Sequence, residues 1–256
     1  YYGETTFAAE SLWSGVSEMA NDGFSENDGE EVLKATAMIG DIEVAASATI
    51  DTVTQDNAQA SFAAAGSVGS VNFSLAYQEE VAATYTGAEG DFKNPEVLAL
   101  SVGTSFAGAE VTIAYAETSE FGVAGDADYV AGGNSTGIEV SYPVGPVTLG
   151  AFYVSESANA EDTYGVSAAY AEGAIEATLS HQSVNDVKTT GLEGSYAVSD
   201  ELSVFAGYID SDDVEDAGSY IGVEYDLGGG ASLLASYADV DSANEGDDEF
   251  GAKDYK

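Results

Sequence analysis

The stretch GSVGSVNFSLAYQ, residues 66–78, holds a tight turn followed by a strand with two different faces. Apolar residues alternate with small or polar ones in its second half: Val71, Phe73, Leu75 and Tyr77 against Asn72, Ser74, Ala76 and Gln78. Successive side chains of a β-strand point to opposite sides of the sheet. The stretch therefore predicts an amphipathic strand that leaves a short turn.

This pattern recurs along the chain and predicts about fourteen strands after residue 32, with a fifteenth that begins near Gly251. The connections alternate between tight links, such as Gly40-Asp41, and longer acidic loops, such as 80–95 and 118–135. Outer-membrane β-barrels have short turns on one rim and long loops on the other. We therefore expect an all-β fold, an antiparallel transmembrane β-barrel with short periplasmic turns and long acidic extracellular loops.

The charge of the chain is strongly one-sided. Its 256 residues include 46 Asp and Glu against five Lys and no Arg, which gives a net charge of −41. Such a charge argues against nucleic acid or an anionic surface as the main partner and favours cations. Adaptation to high salt, or plain solubility, would give the same composition. Cysteine is absent, so disulfides and thiolate metal sites are excluded.

The polar face of the strands carries glutamates, so this face must be in contact with water. Burial of unpaired carboxylates would cost several kcal/mol each. Two arrangements satisfy this requirement: apolar side chains inside with glutamates outside, or apolar side chains toward lipid with glutamates toward a water-filled lumen. The apolar run of any segment is too short for a transmembrane helix, which needs about 20 residues.

Nine tyrosines favour the second arrangement. They fall on the apolar face in two rows, one close to the short turns and one farther along the strands, as expected for aromatic girdles at two membrane interfaces. The high β-propensity of tyrosine is the alternative explanation. The predicted girdle residues are Tyr77, Tyr115, Tyr142, Tyr153, Tyr170, Tyr196, Tyr208, Tyr225 and Tyr237.

The lumen predicted in this way carries a partial acidic ring near its periplasmic mouth. Such a ring favours cations and repels anions. Each acid taken singly could equally be a solvated charge on a wet wall. The predicted pore-lining residues are Glu43, Glu110, Glu139, Glu176, Glu193, Glu201 and Glu224, with Lys34 as an opposing charge.

Residues 1–32 break the strand pattern, whereas residues 33–256 carry the barrel strands, the last of them incomplete. A long segment of this kind can fold inward and narrow a pore. Its acids Glu4, Glu10, Glu18 and Asp22 are then candidate constriction residues. A partly disordered terminus left by truncation is the alternative.

Acidic loops raise the question of a metal. Oxygen ligands suit Ca²⁺ or Mg²⁺, and Asp210, Asp212, Asp213 and Asp216 are the candidate calcium ligands, although their spacing does not match an EF-hand. A solvated charge run is the alternative, and no cofactor is required. His181 is the single histidine and is expected at a strand end or in a loop. With no cysteine to pair with it, the sequence predicts no enzyme.

The run Tyr-Asp-Leu-Gly-Gly-Gly-Ala-Ser at 225–232 resembles the penultimate periplasmic hairpin of general porins from Rhodobacter-type α-proteobacteria. The segment 31–47 is similar to a strand pair in that family. The resemblance implies a trimeric channel of about sixteen strands (range 14–18) for small hydrophilic solutes, with an inward-folded loop and, in some members, bound Ca²⁺. Members end in an aromatic residue and carry a basic wall cluster, whereas this chain ends at Lys256 and has no Arg.

These observations together predict a passive, cation-favouring porin in the outer membrane of a Gram-negative bacterium. Its partners would be the lipid bilayer and lipopolysaccharide, two further copies of itself in a homotrimer, and small hydrophilic solutes and cations, but not nucleic acid. Two alternatives stay open. One is an acidic secreted or surface-layer β-protein with a structural, calcium-binding role, and the other is a barrel that uses its long loops as a receptor.

Overall fold

The computed structural model describes residues 1–27, 29–50, 57–82, 85, 92–126, 129–157, 160–213 and 217–240. These residues form one short helix, α1 (Ala8–Leu12), and fifteen strands. The strands are β1 Tyr2–Gly3, β2 Val32–Ile39, β3 Ile42–Ile50, β4 Asn57–Val68, β5 Val71–Gln78, β6 Val97–Phe106, β7 Ala109–Thr118, β8 Gly133–Val144, β9 Val147–Glu156, β10 Thr163–Glu172, β11 Ile175–Val184, β12 Val187–Ala197, β13 Leu202–Ser211, β14 Gly218–Gly228 and β15 Ala231–Val240.

The strands form an antiparallel sheet in which spatial order follows sequence order from β1 to β15. The all-β antiparallel prediction is confirmed, and β2 to β15 correspond to the fourteen predicted strands. The strand expected near Gly251 lies outside the described residues, so the total of sixteen stays a prediction. The chain start differs from expectation, because Tyr2–Gly3 pairs with β2 instead of belonging wholly to a loop.

The two ends of the sheet differ in their connections. At one end, called the short-turn end, turns such as Gly40-Asp41 and Gly69-Ser70 link the strands. The opposite, long-loop end holds the connections after β3, β5, β7, β9 and β13. The predicted alternation is wrong at one connection of the long-loop end, because β11 and β12 meet through only Asn185 and Asp186.

The turn at Asn185 and Asp186 is tight because both residues have positive φ, 49° and 64°. Two consecutive left-handed residues are typical of the two-residue hairpin turn that matches strand twist. Asn and Asp tolerate this conformation better than other non-glycine residues. Sequence reasoning assigned 183–188 to a connection because it overlooked this turn chemistry.

The two faces of the sheet have opposite exposure. Apolar side chains such as Leu100, Leu192 and Ile221 stand on one face and are exposed, whereas the alternating small and polar residues form the other face. In β3 to β7 part of that second face is buried: Ser47, Ser61, Ala76, Ala99 and Ala116 are almost inaccessible. We call the exposed apolar side the outer face and the other the polar face.

Two compact units divide the chain. Unit 1 contains Tyr1–Val140 and Phe152–Thr163, and unit 2 contains Ser141–Ala151 and Tyr164–Lys256. Two apolar clusters pack in unit 1, one around Val16, Phe24 and Val97 and the other around Phe7, Val32 and Phe92. Across the described residues, α1 is far too short to cross a membrane as a helix.

Candidate functional site

The N-terminal segment, residues 4–31, lies on the polar face of unit 1. It begins with α1, whose free backbone N–H groups find partners in the sheet. The N–H of Ala8 donates to Ser47 Oγ at 2.9 Å, and that of Ala9 donates to Ser61 Oγ at 3.2 Å. The first N–H groups of a helix lack intrahelical partners, so the serines of β3 and β4 act as its cap.

The middle of the segment is bound to β5 and β6. The N–H of Ser14 donates to Ser74 Oγ at 3.2 Å, while Ser101 Oγ donates to the Ser14 carbonyl at 2.5 Å. Ser74 and Ser101 are also bonded to each other across the strands at 2.8 Å. Small hydroxyl side chains on this face therefore let the segment lie close to the strands and still satisfy its backbone.

Carboxylates hold the next part of the segment to β8 and β9. Glu139 Oε2 accepts both the N–H and the hydroxyl of Ser17, at 3.0 and 2.8 Å. Glu156 accepts the N–H of Ala20 at 2.9 Å and the side-chain amide of Asn21 at 3.0 Å. Because hydrogen bonds to charged groups each contribute roughly 1.5–3 kcal/mol, these two acids are strong anchors.

A buried amide cluster fixes the end of the segment. The N–H of Ser25 donates to Gln78 Oε1 at 2.7 Å, and its hydroxyl donates to Gln59 Oε1 at 2.8 Å. Both glutamines are fully buried, and both donate to the Lys93 carbonyl. Since buried polar groups are costly unless bonded, this network fixes the segment against one patch of the sheet.

In addition to these hydrogen bonds, the segment makes apolar contacts with the sheet. Val16, Met19 and Phe24 are buried against small side chains of the sheet such as Ala99 and Ala116. Gly137 in β8 is needed here, since a Cβ at that position would lie 2.9 Å from Val16 Cβ. The small residues of the polar face thus make room for the segment.

The four predicted constriction acids have different surroundings on this segment. Glu4 and Glu18 are exposed, whereas Glu10 and Asp22 are half-buried. Burial raises the pKa of Asp22, against the effect of the Trp13 Nε1–H that donates to Asp22 Oδ2 at 2.9 Å. Burial also raises the pKa of Glu10, with the charges of Glu26 and Asp22 adding to the shift. The structure therefore brings Glu10 and Asp22 close enough to interact, and Glu18 acts on Asp22.

Seven of the eight predicted pore-lining residues share the polar face. In unit 1, Glu43 follows the alternation of Ala45 and Ser47, Lys34 pairs with Ser47, and Glu110 pairs with Ser105. Glu139 is the one that touches the N-terminal segment. In unit 2 the pairs are Glu176 with Ser195, Glu193 with Gly207, and Glu224 with Ser203, while Glu201 precedes β13 in a turn. Their role in lining a pore stays a prediction.

The nine predicted girdle tyrosines all fall on the outer face. Seven are exposed, from Tyr115 at 37% to Tyr237 at 69%, and Tyr77 and Tyr170 are partly covered. Several hydroxyls donate to nearby carboxylates: Tyr77 to Glu96 at 2.8 Å, Tyr115 to Glu117 at 2.9 Å, Tyr153 to Asp162 at 2.6 Å and Tyr170 to Glu172 at 3.0 Å. The bond from Tyr153 is the main reason that the pKa of Asp162, in the loop before β10, lies below its usual range.

The remaining predicted sites are not assembled by the structure. Asp210, Asp212 and Asp213 are exposed, and Asp216 lies outside the described residues. Among the residues that the structure describes, no group of three acidic or histidine side chains could hold a metal. Calcium binding stays a prediction. His181 lies within β11, not at its end, where its Nδ1 is 2.8 Å from Thr190 Oγ1.

Sequence reasoning missed the residues that bind the segment to the sheet. Glu156 was assigned to a loop, although its place two residues after Val154 puts it on the polar face of β9. Gln59 and Gln78 are long polar side chains among serines and alanines. An unusually long polar residue in a strand face of small residues is the signal that could have indicated a bound segment.

Comparison with known proteins agrees with this architecture. A family model described as Gram-negative porin matches residues 1–170, well over half of the chain. A triple mutant of the Rh. blastica porin has a TM-score of 0.52 at 17% sequence identity and covers 88% of this chain and 90% of its own. Pseudomonas aeruginosa OccK5 (OpdH) has a TM-score of 0.53 at 12% identity and covers 83% of this chain and 77% of its own. No curated protein matches the sequence.

The solved structures share the fold with this chain, and the family match agrees with the exposed outer face. The resemblance to porins and the expected location in the outer membrane are confirmed. The family and the fold indicate a channel rather than an enzyme, and they decide against a secreted or surface-layer protein. The chain belongs to the Gram-negative porin family and is a transmembrane β-strand channel of the outer membrane.

Proposed function

We propose that this porin is a passive diffusion channel for small hydrophilic solutes that favours cations. In this proposal the outer face contacts lipid, the polar face lines the water-filled path, and the N-terminal segment narrows that path. The single observation that carries the proposal is the position of the N-terminal segment. The segment lies on the polar face, is bound there by serines, glutamines and Glu139 and Glu156, and leaves Glu4 and Glu18 exposed.

The exposed apolar side chains of the outer face support the proposal that this face contacts lipid. Exposed Leu, Ile, Val and Tyr residues occur on strand after strand, from Leu33 in β2 to Tyr237 in β15. Soluble monomers rarely expose contiguous apolar patches above a few hundred Å². In a bilayer the same surface is matched by acyl chains, while tyrosine hydroxyls reach the wet interface.

The charges of the polar face support the preference for cations. In unit 1 this face carries Glu43, Glu110 and Glu139 against Lys34, and in unit 2 it carries Glu176, Glu193 and Glu224. Fixed negative charge along an aqueous path raises the local concentration of cations. The exposed acids of the N-terminal segment add to the same field.

The test is the reversal potential of the purified protein in a planar bilayer under a KCl gradient. We expect a potential of the sign that indicates K⁺ preference. Replacing Glu110 and Glu176 with Gln should move it toward zero. The matched control replaces two outer-face acids, Glu117→Gln and Glu172→Gln, and should leave it nearly unchanged. Preference for Cl⁻ in the unaltered protein would refute the proposal.

We also propose that the channel is a homotrimer, with lipopolysaccharide and lipid against the exposed part of the outer face. The resemblance to general porins supports this assembly, as does an apolar surface large enough to serve both neighbours and lipid. Light scattering of the detergent-purified protein should give three times the chain mass. A monomer mass under mild detergent would count against the trimer.

A further inference from the structure

The polar face of unit 2 contains a shallow groove that combines aromatic rings with carboxylates. Its volume is about 170 Å³. We call it the aromatic trough. Its side chains are Glu176, Thr178, Glu193, Ser195, Phe205 and Tyr220.

The trough is built from two adjacent rows of residues across β11 to β14. The register places Glu176, Ser195, Phe205 and Gly222 in one row, and Thr178, Glu193, Gly207 and Tyr220 in the next. Within each strand the two rows are two residues, or about 7 Å, apart. Each row thus contains one acid, one aromatic ring and one glycine.

The glycines explain where the rings lie. A Cβ at Gly207 would collide with the ring of Tyr220, and a Cβ at Gly222 would collide with the ring of Phe205. Each ring therefore lies over a glycine of the neighbouring strand. The ring centroids are 6.2 Å apart with planes inclined at 53°. Covering a glycine stabilises a sheet, but that effect alone needs no carboxylate beside the rings.

Two carboxylates complete the trough. Tyr220 donates its hydroxyl to Glu193 Oε1 at 2.5 Å. A carboxylate offers about four acceptor sites, so Glu193 retains capacity for a further donor. Glu176 is exposed, and small Ser195 separates it from Phe205. Lys188 pairs with Ser183 on the outer face, so within the described part of unit 2 no lysine shares the face of the trough.

Aromatic rings beside carboxylates, without a competing lysine, match one class of ligand. Organic ammonium ions are attracted both to ring faces and to carboxylates. A hydrated metal ion gains little from the rings, and an anionic solute is repelled by the two charges. A neutral solute can donate hydrogen bonds to the carboxylates, but it lacks the charge that is attracted to both rings and carboxylates. The volume of about 170 Å³ is sufficient for an ion of about the size of choline.

We propose that the aromatic trough is a binding subsite for small organic ammonium ions on their way through the channel. The inference rests on the proposed function, because it takes the polar face to line the path. It adds a preferred substrate class, alkylammonium solutes, which the general acidic field does not select.

The experiment measures single-channel K⁺ current in a planar bilayer while choline is added. Choline should reduce the current with saturation, whereas its neutral isostere 3,3-dimethylbutan-1-ol should not. Phe205→Leu should raise the half-inhibiting choline concentration about fivefold, the usual size of a cation–π contribution. Phe62→Leu, which removes an exposed outer-face ring, is the matched control and should leave it unchanged.

A second pair of variants separates binding from the general field. Glu193→Gln removes a trough carboxylate, and Glu224→Gln removes an acid that faces the same way outside the trough. Both should lower K⁺ preference to a similar degree, but only Glu193→Gln should weaken the choline effect. If Phe205→Leu fails to insert, shown by the lack of heat-modifiable mobility in gels, the glutamate pair still tests the inference.

The outcomes separate the two proposals. Saturating inhibition by choline that depends on Phe205 and Glu193 supports the trough. K⁺ conductance with no choline effect, or with equal effects in all variants, overturns the trough but not the channel. Absence of any conductance from folded protein overturns the proposed function itself.

Discussion

At the residue scale, Trp13 and Asp22 form the most informative contact. Trp13 is the single tryptophan of the chain, and its indole packs edge-on against Phe24 with centroids 6.0 Å apart. Its Nε1–H donates to the Asp22 carboxylate. Because Trp13 also packs against the buried cluster that includes Ala99 and Ala116 of the sheet, its emission reports on whether the N-terminal segment is docked.

The pH dependence of that emission follows from Asp22. Burial raises the pKa of Asp22 in the docked state, so the docked segment binds a proton more readily than the free one. The contribution of Asp22 to docking is then largest below the usual carboxyl range and falls as pH rises through the raised pKa. We expect Trp13 emission to change in this window, and Asp22→Asn to remove most of the change.

A titration of Trp13 fluorescence between about pH 3 and about pH 8 checks this expectation. The charges of Glu18 and Glu156 act on Asp22, and Glu10 has a raised pKa of its own, so a small residual change is expected in the variant. Asp41→Asn, at a short turn, serves as control. An unaltered profile in Asp22→Asn would show that another group causes the change.

At the element scale, the N-terminal segment depends on close approach to β8. The 2.9 Å contact that a Cβ at Gly137 would make with Val16 leaves no room for even a methyl group. Overpacking of this kind usually costs about 1–3 kcal/mol. The same Cβ would lie 3.3 Å from Val154 Cγ2 in β9, so the tighter contact, with Val16, is the one that the segment can relieve by moving.

We therefore expect Gly137→Ala to loosen the segment and Val16→Ala to restore docking when both changes are present. The measurement is Trp13 emission, together with the rate of cleavage at Glu10 and Glu18 by a glutamate-specific protease. Gly137→Ala should speed cleavage, and the double variant should return it toward the original rate. Equal rates in all three proteins would mean that Val16 does not hold the segment in place.

The two tyrosine rows are closer together than a membrane is thick. Tyr208 stands opposite Leu192, four residues from Tyr196 on the same strand, which corresponds to about 13 Å. The apolar band of such proteins is about 25 Å tall. The hydroxyls point apart, however: Tyr115 donates toward the long-loop end at Glu117, and Tyr170 toward the short-turn end at Glu172. Divergent rings widen the span that the rows can cover.

The strands and their faces could be predicted from sequence because alternation is a local property. Val71 to Gln78 reveals its two faces without knowledge of any other strand. The docking of the N-terminal segment could not be predicted, because Ser17 meets Glu139 and Ser25 meets Gln78 across long stretches of chain. The trough could not be predicted either, although alternation places Tyr220 on the polar face, because its partner Glu193 is defined only by the register of the strands.

At the scale of the whole molecule, the charge of −41 sets how selectivity depends on salt. The screening length falls from about 30 Å at 0.01 M to about 3 Å at 1 M ionic strength. Acids that act together through water are thus effective only at low salt. The summed field, and not any one glutamate, should govern the preference for cations.

We expect the ratio of K⁺ to Cl⁻ permeability to fall steadily as mean KCl concentration rises from about 0.01 M to about 1 M. Reversal potentials at a fixed concentration ratio measure it. The fall of the permeability ratio with salt should be smaller after Glu110→Gln and Glu176→Gln. A ratio independent of salt would indicate selection by contact at a narrow point instead of by the field.

The tight turn at Asn185 and Asp186 has a consequence for how the chain assembles. With the short turns on either side, it makes β10 to β13 a run of four strands without a long loop between them. Closing a short loop forfeits little chain entropy, and local contacts form fast. We expect this meander to form early during insertion, so that Glu176, Glu193 and Phe205 are aligned before β14, which follows a long connection, adds Tyr220 beside them.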